Sequence, residues 1–180
     1  MWEWREEMNI KTNRLLLRSF KETDFLDTLS IFEKEEVCRY LLHCPWSELN
    51  ALDNFQKRIE NNNLKKDTTI YIAVEYKEKI IGEISLTKTN MKDTLEIIYC
   101  FNPDYTNKGL ASEAVKAVID YFLLNTNTHR IQACLDCRNT DSQKLCERIG
   151  MRKEGEFKQD YWSKGEWTDS YIYGILKSDL

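Results

Sequence analysis

At 180 residues, with 42% hydrophobic and 31% charged side chains, the chain is sized for one domain, 1–180, whose core needs no disulfide or metal staple. A net charge of −4 and a pI near 5.4 argue against a nucleic-acid binder driven by phosphate contacts. No apolar run approaches the roughly 20 residues that span a bilayer, and the opening residues 1–7 lack the basic and apolar regions of a secretory signal, so a cytoplasmic protein with no membrane partner is expected.

Taken in chain order, residues 14–20 read as a first strand. Thr23 and Asp24 offer N-caps to a helix carrying Phe25, Leu26, Leu29, Ile31 and Phe32. Pro45-Trp46-Ser47 breaks the chain, and Ser47 can cap a helix with Leu49, Leu52, Phe55 and Ile59 on one face, ended by Asn61-Asn62-Asn63. Strands over 69–75 and 80–87 form a hairpin about Tyr76-Lys77-Glu78-Lys79, and 95–101 is the next strand. A helix from Leu110 to about Leu124 has Ala114, Val115, Val118, Ile119 and Phe122 at helical spacing. The strand that follows, 129–136, completes a β-α-β crossover and should run parallel to 95–101. Thr140-Asp141-Ser142-Gln143 matches a capping box, and Gly150 suits the left-handed residue that ends a helix. Final strands at about 151–161 and 168–177 flank Lys164-Gly165-Glu166. Seven strands with flanking helices make one α/β (α+β) domain without repeats.

Six cysteines (Cys38, Cys44, Cys100, Cys134, Cys137, Cys146) include one C-x-x-C and no second pair to complete a zinc site, so they read as core thiols and no metal is expected. His43 and His129 read as structural or surface residues. Tyr161, Trp162, Trp167, Tyr171 and Tyr173 crowd the end of the chain, where core packing is the commoner reason for such a cluster and an acceptor-site wall the sharper one.

The most informative stretch is Asn102 to Ala114, which joins an apolar strand to an amphipathic helix. The first turn of a helix has N–H groups without intrahelical partners and the positive end of the dipole. Gly109 lets backbone approach a ligand closely, Ala111 and Ser112 keep the turn small, and Lys108 adds a mobile cation. Together these make a cradle for a pyrophosphate. Neither the Walker A pattern nor the dinucleotide fingerprint is present.

The element order resembles the GNAT acyltransferase fold, a mixed sheet of about seven strands with flanking helices. Tyr105-Thr106-Asn107-Lys108-Gly109-Leu110-Ala111-Ser112-Glu113-Ala114 is similar to that family's acetyl-CoA loop, usually written Q/R-x-x-G-x-G/A. Thr12-Asn13-Arg14-Leu15-Leu16-Leu17-Arg18, Asn139-Thr140-Asp141-Ser142 running into Glu147-Arg148-Ile149-Gly150-Met151, and Glu154-Gly155 with Gly165-Glu166-Trp167-Thr168-Asp169 resemble the branch of ribosomal-protein N-terminal acetyltransferases. Thr106 stands where Gln or Arg is usual, Asn107 where Gly is common, Met151 where Phe is usual, and Cys146 where many GNAT enzymes carry a Tyr.

The resemblance implies acetyl-CoA as co-substrate, held by Tyr99, Cys100, Phe101, Thr106, Asn107, Lys108, Gly109, Leu110, Ala111, Ser112, Asn139 and Ser142. It implies direct attack of an amine on the thioester, with a backbone amide near Tyr99 or Cys100 holding the oxyanion and Ser142 assisting the leaving thiolate. Strand alternation puts Glu96, Ile98 and Cys100 on one face, and Glu96 is the candidate base, a role weighed evenly against that of a solvent-facing carboxylate. Glu83 is the second candidate, and Glu96, Glu83 and Asp169 near the cleft suit a cationic amine. A protein N-terminus or a small amine would be the acceptor. The alternatives are a CoA-binding module without turnover and an unrelated nucleotide-binding domain. Many GNAT proteins pair, and no feature here decides for or against a homodimer.

Overall fold

The computed structural model describes residues 8–61 and 69–180, so the readings of residues 1–7 and of Asn62-Asn63 lie outside the described residues. Its strands are β1 (Asn9–Lys11), β2 (Leu16–Arg18), β3 (Thr69–Tyr76), β4 (Lys79–Lys88), β5 (Thr94–Phe101), β6 (Arg130–Asp136), β7 (Arg152–Ser163) and β8 (Glu166–Leu176). Its helices are α1 (Phe25–Phe32), α2 (Glu35–Cys38), α3 (Ala51–Glu60), α4 (Leu110–Asn125) and α5 (Thr140–Arg148). The eight strands form one sheet in the order β1-β2-β3-β4-β5-β6-β8-β7, against the seven expected. The additional strand, β1, is a three-residue edge too short to show a period.

Both faces of the sheet are covered. On one, α4 and α5 pack Val115, Val118, Phe122 and Leu145 against Ile72, Ile84, Leu86 and Ile131. On the other, α1 to α3 bring Ile31, Phe32, Trp46 and Phe55 against Ala73 and Ile80. Cover on both faces leaves Ile80 to Leu86 of β4 buried throughout, including the polar Glu83 and Ser85. The β3–β4 hairpin turns through Lys77 and Glu78, both at positive φ, as the spacing predicts.

Three local expectations are corrected. The α3 helix begins after Asn50, and Leu49 and Leu52 lie exposed while Ala51, Phe55 and Arg58 are buried. The burial of Arg58 is compensated by an ion pair, described below, that no local pattern reveals. The α5 cap is Asn139, whose side chain accepts from the Ser142 N–H, while the Gln143 side chain donates to the Cys137 carbonyl, so the Thr140 capping box does not form. The six cysteines are not uniformly core thiols, because Cys38 and Cys146 are buried whereas Cys44 and Cys134 are exposed. Gly150 does close α5 at φ 89°.

Candidate active site

The β5 and β6 strands run parallel for only three register pairs, Thr94 with Arg130, Leu95 with Ile131 and Glu96 with Gln132, and then separate. Beyond that point β5 stays paired to β4 alone. The Asn102 N–H donates to the Ile81 carbonyl on β4, which sets the alternation. The backbone N–H and C=O of Tyr99 therefore point into the gap, as do those of Phe101, while those of Ile98 and Cys100 point to β4. Of the two backbone positions considered for an oxyanion donor, Tyr99 and not Cys100 faces the opening.

The gap widens into a wedge of about 670 Å³ between the Ile97–Phe101 edge and the start of α5, with Thr106, Ala111, Asn139 and Ser142 in its walls. Beside it lies a cleft of about 510 Å³ on the α1–α3 face, walled by Trp46, Arg58, Glu83, Glu96 and the 161–168 hairpin. Residues lining both cavities include Arg39, Ile98, Tyr99, Cys100, Asp136 and Arg138. Glu96 lines only the cleft and Ser142 only the wedge, so the two sequence candidates stand on opposite sides of one opening.

The loop before α4 turns twice through left-handed backbone, at Asn107 (φ 59°) and Gly109 (φ 71°). Asn tolerates this region better than most residues, so Asn107 replaces the usual Gly without losing the turn. Intrahelical bonding starts with the Glu113 N–H on the Gly109 carbonyl. The N–H groups of Leu110, Ala111 and Ser112 have no acceptor among the described residues, which suits them to an anion. Unpaired edge groups at Tyr99 and this open first turn fit the amide arm and pyrophosphate of CoA.

The loop is braced from three sides. Arg14 donates to the Lys108 carbonyl (2.8 Å) and forms an ion pair with Glu113 (2.6 Å), which also accepts from Thr12 (2.6 Å). Lys34 donates to the Asn102 side chain (2.8 Å). Thr106 spends its hydroxyl on the Pro103 carbonyl, and Lys108 folds back to the Asp104 carbonyl over the Tyr105 ring. Lys108 is thus held by the loop and is not the mobile cation expected. Sequence reasoning missed Arg148, which reaches from α5 to the Ser112 hydroxyl (3.0 Å) and has no carboxylate partner among the described residues.

On the wedge side, the Tyr99 hydroxyl meets the Ser142 carbonyl and the Cys146 thiol, each at 3.3 Å. Burial raises the Tyr99 phenol, with the thiol adding to the effect, so it stays protonated. Cys146 is fully buried beneath it. Cys100 directs its thiol to the cleft face, where burial pushes it well up.

On the cleft side, Glu96 accepts from Gln132 (3.2 Å) and has no cationic partner among the described residues. Glu83 is buried and bound twice by Arg58, at 2.5 and 3.1 Å, so it is not a free base. Asp169 accepts from Lys158 and the Gln159 N–H on the β7–β8 ribbon and does not line the cleft. His43, read as structural or surface, is exposed at the edge of the cleft: its Nδ1 donates to the Cys44 carbonyl, and partial desolvation lowers its pKa. The aromatic cluster divides. Tyr173 is core, Tyr161 lines the cleft, and Trp162 and Trp167 form an exposed edge-to-face pair at the hairpin end. Among the described residues no group of His, Cys, Asp or Glu side chains is placed to hold a metal ion.

The parallel pairing of β5 with β6 across α4 is the β-α-β crossover expected from the sequence, and comparison with known proteins decides the family. Residues 14–152 match the family model described as an acetyltransferase (GNAT) domain. The chain belongs to the GNAT acetyltransferase family. An uncharacterized N-acetyltransferase of Bacillus subtilis, YnaD, is 34% identical over 96% of this chain and 99% of its own length. A GNAT-family acetyltransferase structure from Bacillus anthracis superposes with a TM-score of 0.86 at 32% identity, covering 95% of this chain and 99% of that one. More distant GNAT proteins include the spermidine N(1)-acetyltransferase of Escherichia coli K12, 22% identical over 86% of this chain and 81% of its own length. The RimL ribosomal L7/L12 α-N-protein acetyltransferase, solved with coenzyme A, shares the fold at a TM-score of 0.82 and 17% identity, covering 94% and 98% of the two chains. This GNAT enzyme is an acetyl-CoA-dependent N-acetyltransferase acting on an amine. Among its described residues no helix is long and apolar enough to cross a membrane.

Proposed function

We propose that the chain, acting as one catalytic domain in the cytoplasm, acetylates a protein N-terminal α-amine or a small primary amine, with Glu96 as general base and Ser142 beside the leaving sulfur. The observation that carries this is the opening between β5 and β6, which has a wedge of about 670 Å³ beside the α4 N-terminus on one side and the Glu96 carboxylate, without a cationic partner among the described residues, on the other. Acetyl-CoA supplies an activated acyl carbon whose thiolate leaves readily, a thiol having a pKa of about 8.5. Glu96 accepts the proton from the ammonium, directly or through a water. The Tyr99 N–H donates to the oxyanion that develops as the amine nitrogen bonds to the carbonyl carbon. Ser142 donates a hydrogen bond to the sulfur as the C–S bond breaks. An α-amine (pKa about 7.7–8) needs less help from Glu96 than a lysine amine (about 10.4).

The Leu110, Ala111 and Ser112 amides hold the pyrophosphate, with Asn107 and Gly109 shaping the turn and Asn139 fixing the start of α5. Arg148 is placed to reach a CoA phosphate through its contact to Ser112. Arg148→Ala is expected to raise KM for acetyl-CoA about 3- to 10-fold with kcat kept, a loss of uniform binding readable from steady-state kinetics.

Acetyl-CoA at about 100 times its Kd should raise the unfolding midpoint by on the order of 5–10 °C, and ATP and NAD should not. Release of CoA thiol on adding a primary amine would accompany it. A shift without turnover for any amine would favour the second reading, a CoA-binding module, for which the committed Thr106 hydroxyl gives some footing. No shift at millimolar acetyl-CoA would remove both.

A further inference from the structure

The charges around the acceptor cleft are not balanced locally, and the imbalance has a direction. Its acidic side chains are Glu83, Glu96, Asp136 and Glu166. Glu83 is neutralised by Arg58, while Asp136 and Glu166 both bind Arg138, at 2.7 and 2.8 Å. Among the described residues Glu96 is the one of these four without a cation, and it stands at the last register pair before β5 and β6 part. Among the lining cations, Lys164 donates to the Cys38 and Arg39 backbone carbonyls, at 2.5 and 3.2 Å, and has no carboxylate partner among the described residues. Arg39 and Lys57, both exposed, make no ion pair among the described residues. His43 is exposed, and partial desolvation together with the neighbouring positive charges of Arg58 and Lys164 lowers its pKa. One carboxylate without a cationic partner therefore shares the cleft with three cations that no carboxylate pairs with among the described residues.

From this arrangement we infer that the acceptor is an amino-carboxylate: an amine bound at Glu96 whose own molecule carries negative charge that reaches Arg39, Lys57 and Lys164. The inference rests on the acetyltransferase reading above and narrows its acceptor. A polyamine satisfies Glu96 with one nitrogen but carries its remaining positive charge into the cationic rim. A free acidic amino acid, or a peptide with a free N-terminus and acidic residues just behind it, meets both ends. The acidic net charge of the whole chain does not decide the matter, because steering at a cleft follows the charges that line it.

The test is steady-state acetylation at low and high salt with four acceptors: spermidine, free glutamate, and two peptides alike except for Asp or Lys at positions 2–4. The Asp peptide or free glutamate should exceed spermidine and the Lys peptide by about tenfold or more in kcat/KM, the size expected of single charge pairs in partly solvated surroundings. Which of the two wins separates a peptide source from an amino-acid source. The preference should shrink as salt screens the exposed rim and should invert in the Arg39→Glu/Lys57→Glu variant. An unchanged midpoint shift with acetyl-CoA would show that this variant keeps its fold. A wild-type preference for spermidine or the Lys peptide would overturn the amino-carboxylate assignment and leave N-acetylation standing. Absence of turnover with all four would count against the assignment, and joined to absence of acetyl-CoA binding it would remove the enzymatic reading itself.

Discussion

Replacing Glu96 with glutamine is expected to lower kcat by about 10²- to 10³-fold, the usual contribution of a positioned general base, with KM for acetyl-CoA unchanged. The size follows from the isolation of this carboxylate. Every other acid lining the cleft already holds an arginine, and among the described residues Glu96 has only the neutral Gln132 amide. Glutamine matches its shape and can still meet Gln132, so the change removes proton acceptance while leaving the packing of β5 intact. The effect should be larger for a lysine-like amine than for an α-amine, because the former presents almost no free base near neutral pH. A variant that keeps its kcat would reduce Glu96 to a solvated carboxylate at a strand edge and transfer the proton step to water.

Much of this site was legible because its determinants are local. The alternation that sets Glu96 on one face of β5 and Tyr99 on the other is a property of seven consecutive residues. The loop from Asn102 to Gly109 announces itself through a Gly and an Asn where the backbone must turn left-handed, and α4 through its apolar spacing. What was not legible depends on partners far apart in sequence. Apolar spacing puts Leu49, Leu52, Phe55 and Ile59 on one face of α3; Phe55 is buried, but Leu49 and Leu52 lie exposed and the helix turns Arg58 inward to meet Glu83, 25 residues away. The same pairing removes Glu83 from the list of bases. Arg14, read only as part of a strand motif, braces the cradle through Glu113, 99 residues on. Local pattern also misjudged Lys108, whose charge looks free in sequence but bonds four residues back.

Arg58→Ala is expected to cost about 3–5 kcal/mol of stability, the loss typical when a buried ion pair is broken from one side. For a domain of this size the midpoint falls by on the order of 10 °C. Both side chains of the pair are only 8% exposed. Arg58 also donates to the Asn54 carbonyl (2.8 Å) and lies 4.5–4.8 Å from the ring centres of Phe32, Trp46 and Tyr71. Burial raises the Glu83 carboxyl above its ordinary value, and Arg58 opposes that rise. Without Arg58 the folded-state pKa climbs further while the unfolded value stays near 4.3. A carboxyl that binds its proton more tightly when folded loses stability as pH rises from the unfolded value through the folded one. The penalty of Arg58→Ala should therefore be smallest near pH 5 and largest near pH 8, measured by denaturant unfolding at each pH. The double variant Arg58→Met/Glu83→Leu, which removes both charges and keeps apolar volume, should recover most of the loss and flatten its pH dependence. A penalty that is flat in pH and survives in the double variant would locate the contribution of Arg58 in its stacking against the three rings. The cleft would then be held open by an aromatic box around a cation, with Glu83 contributing little to its stability.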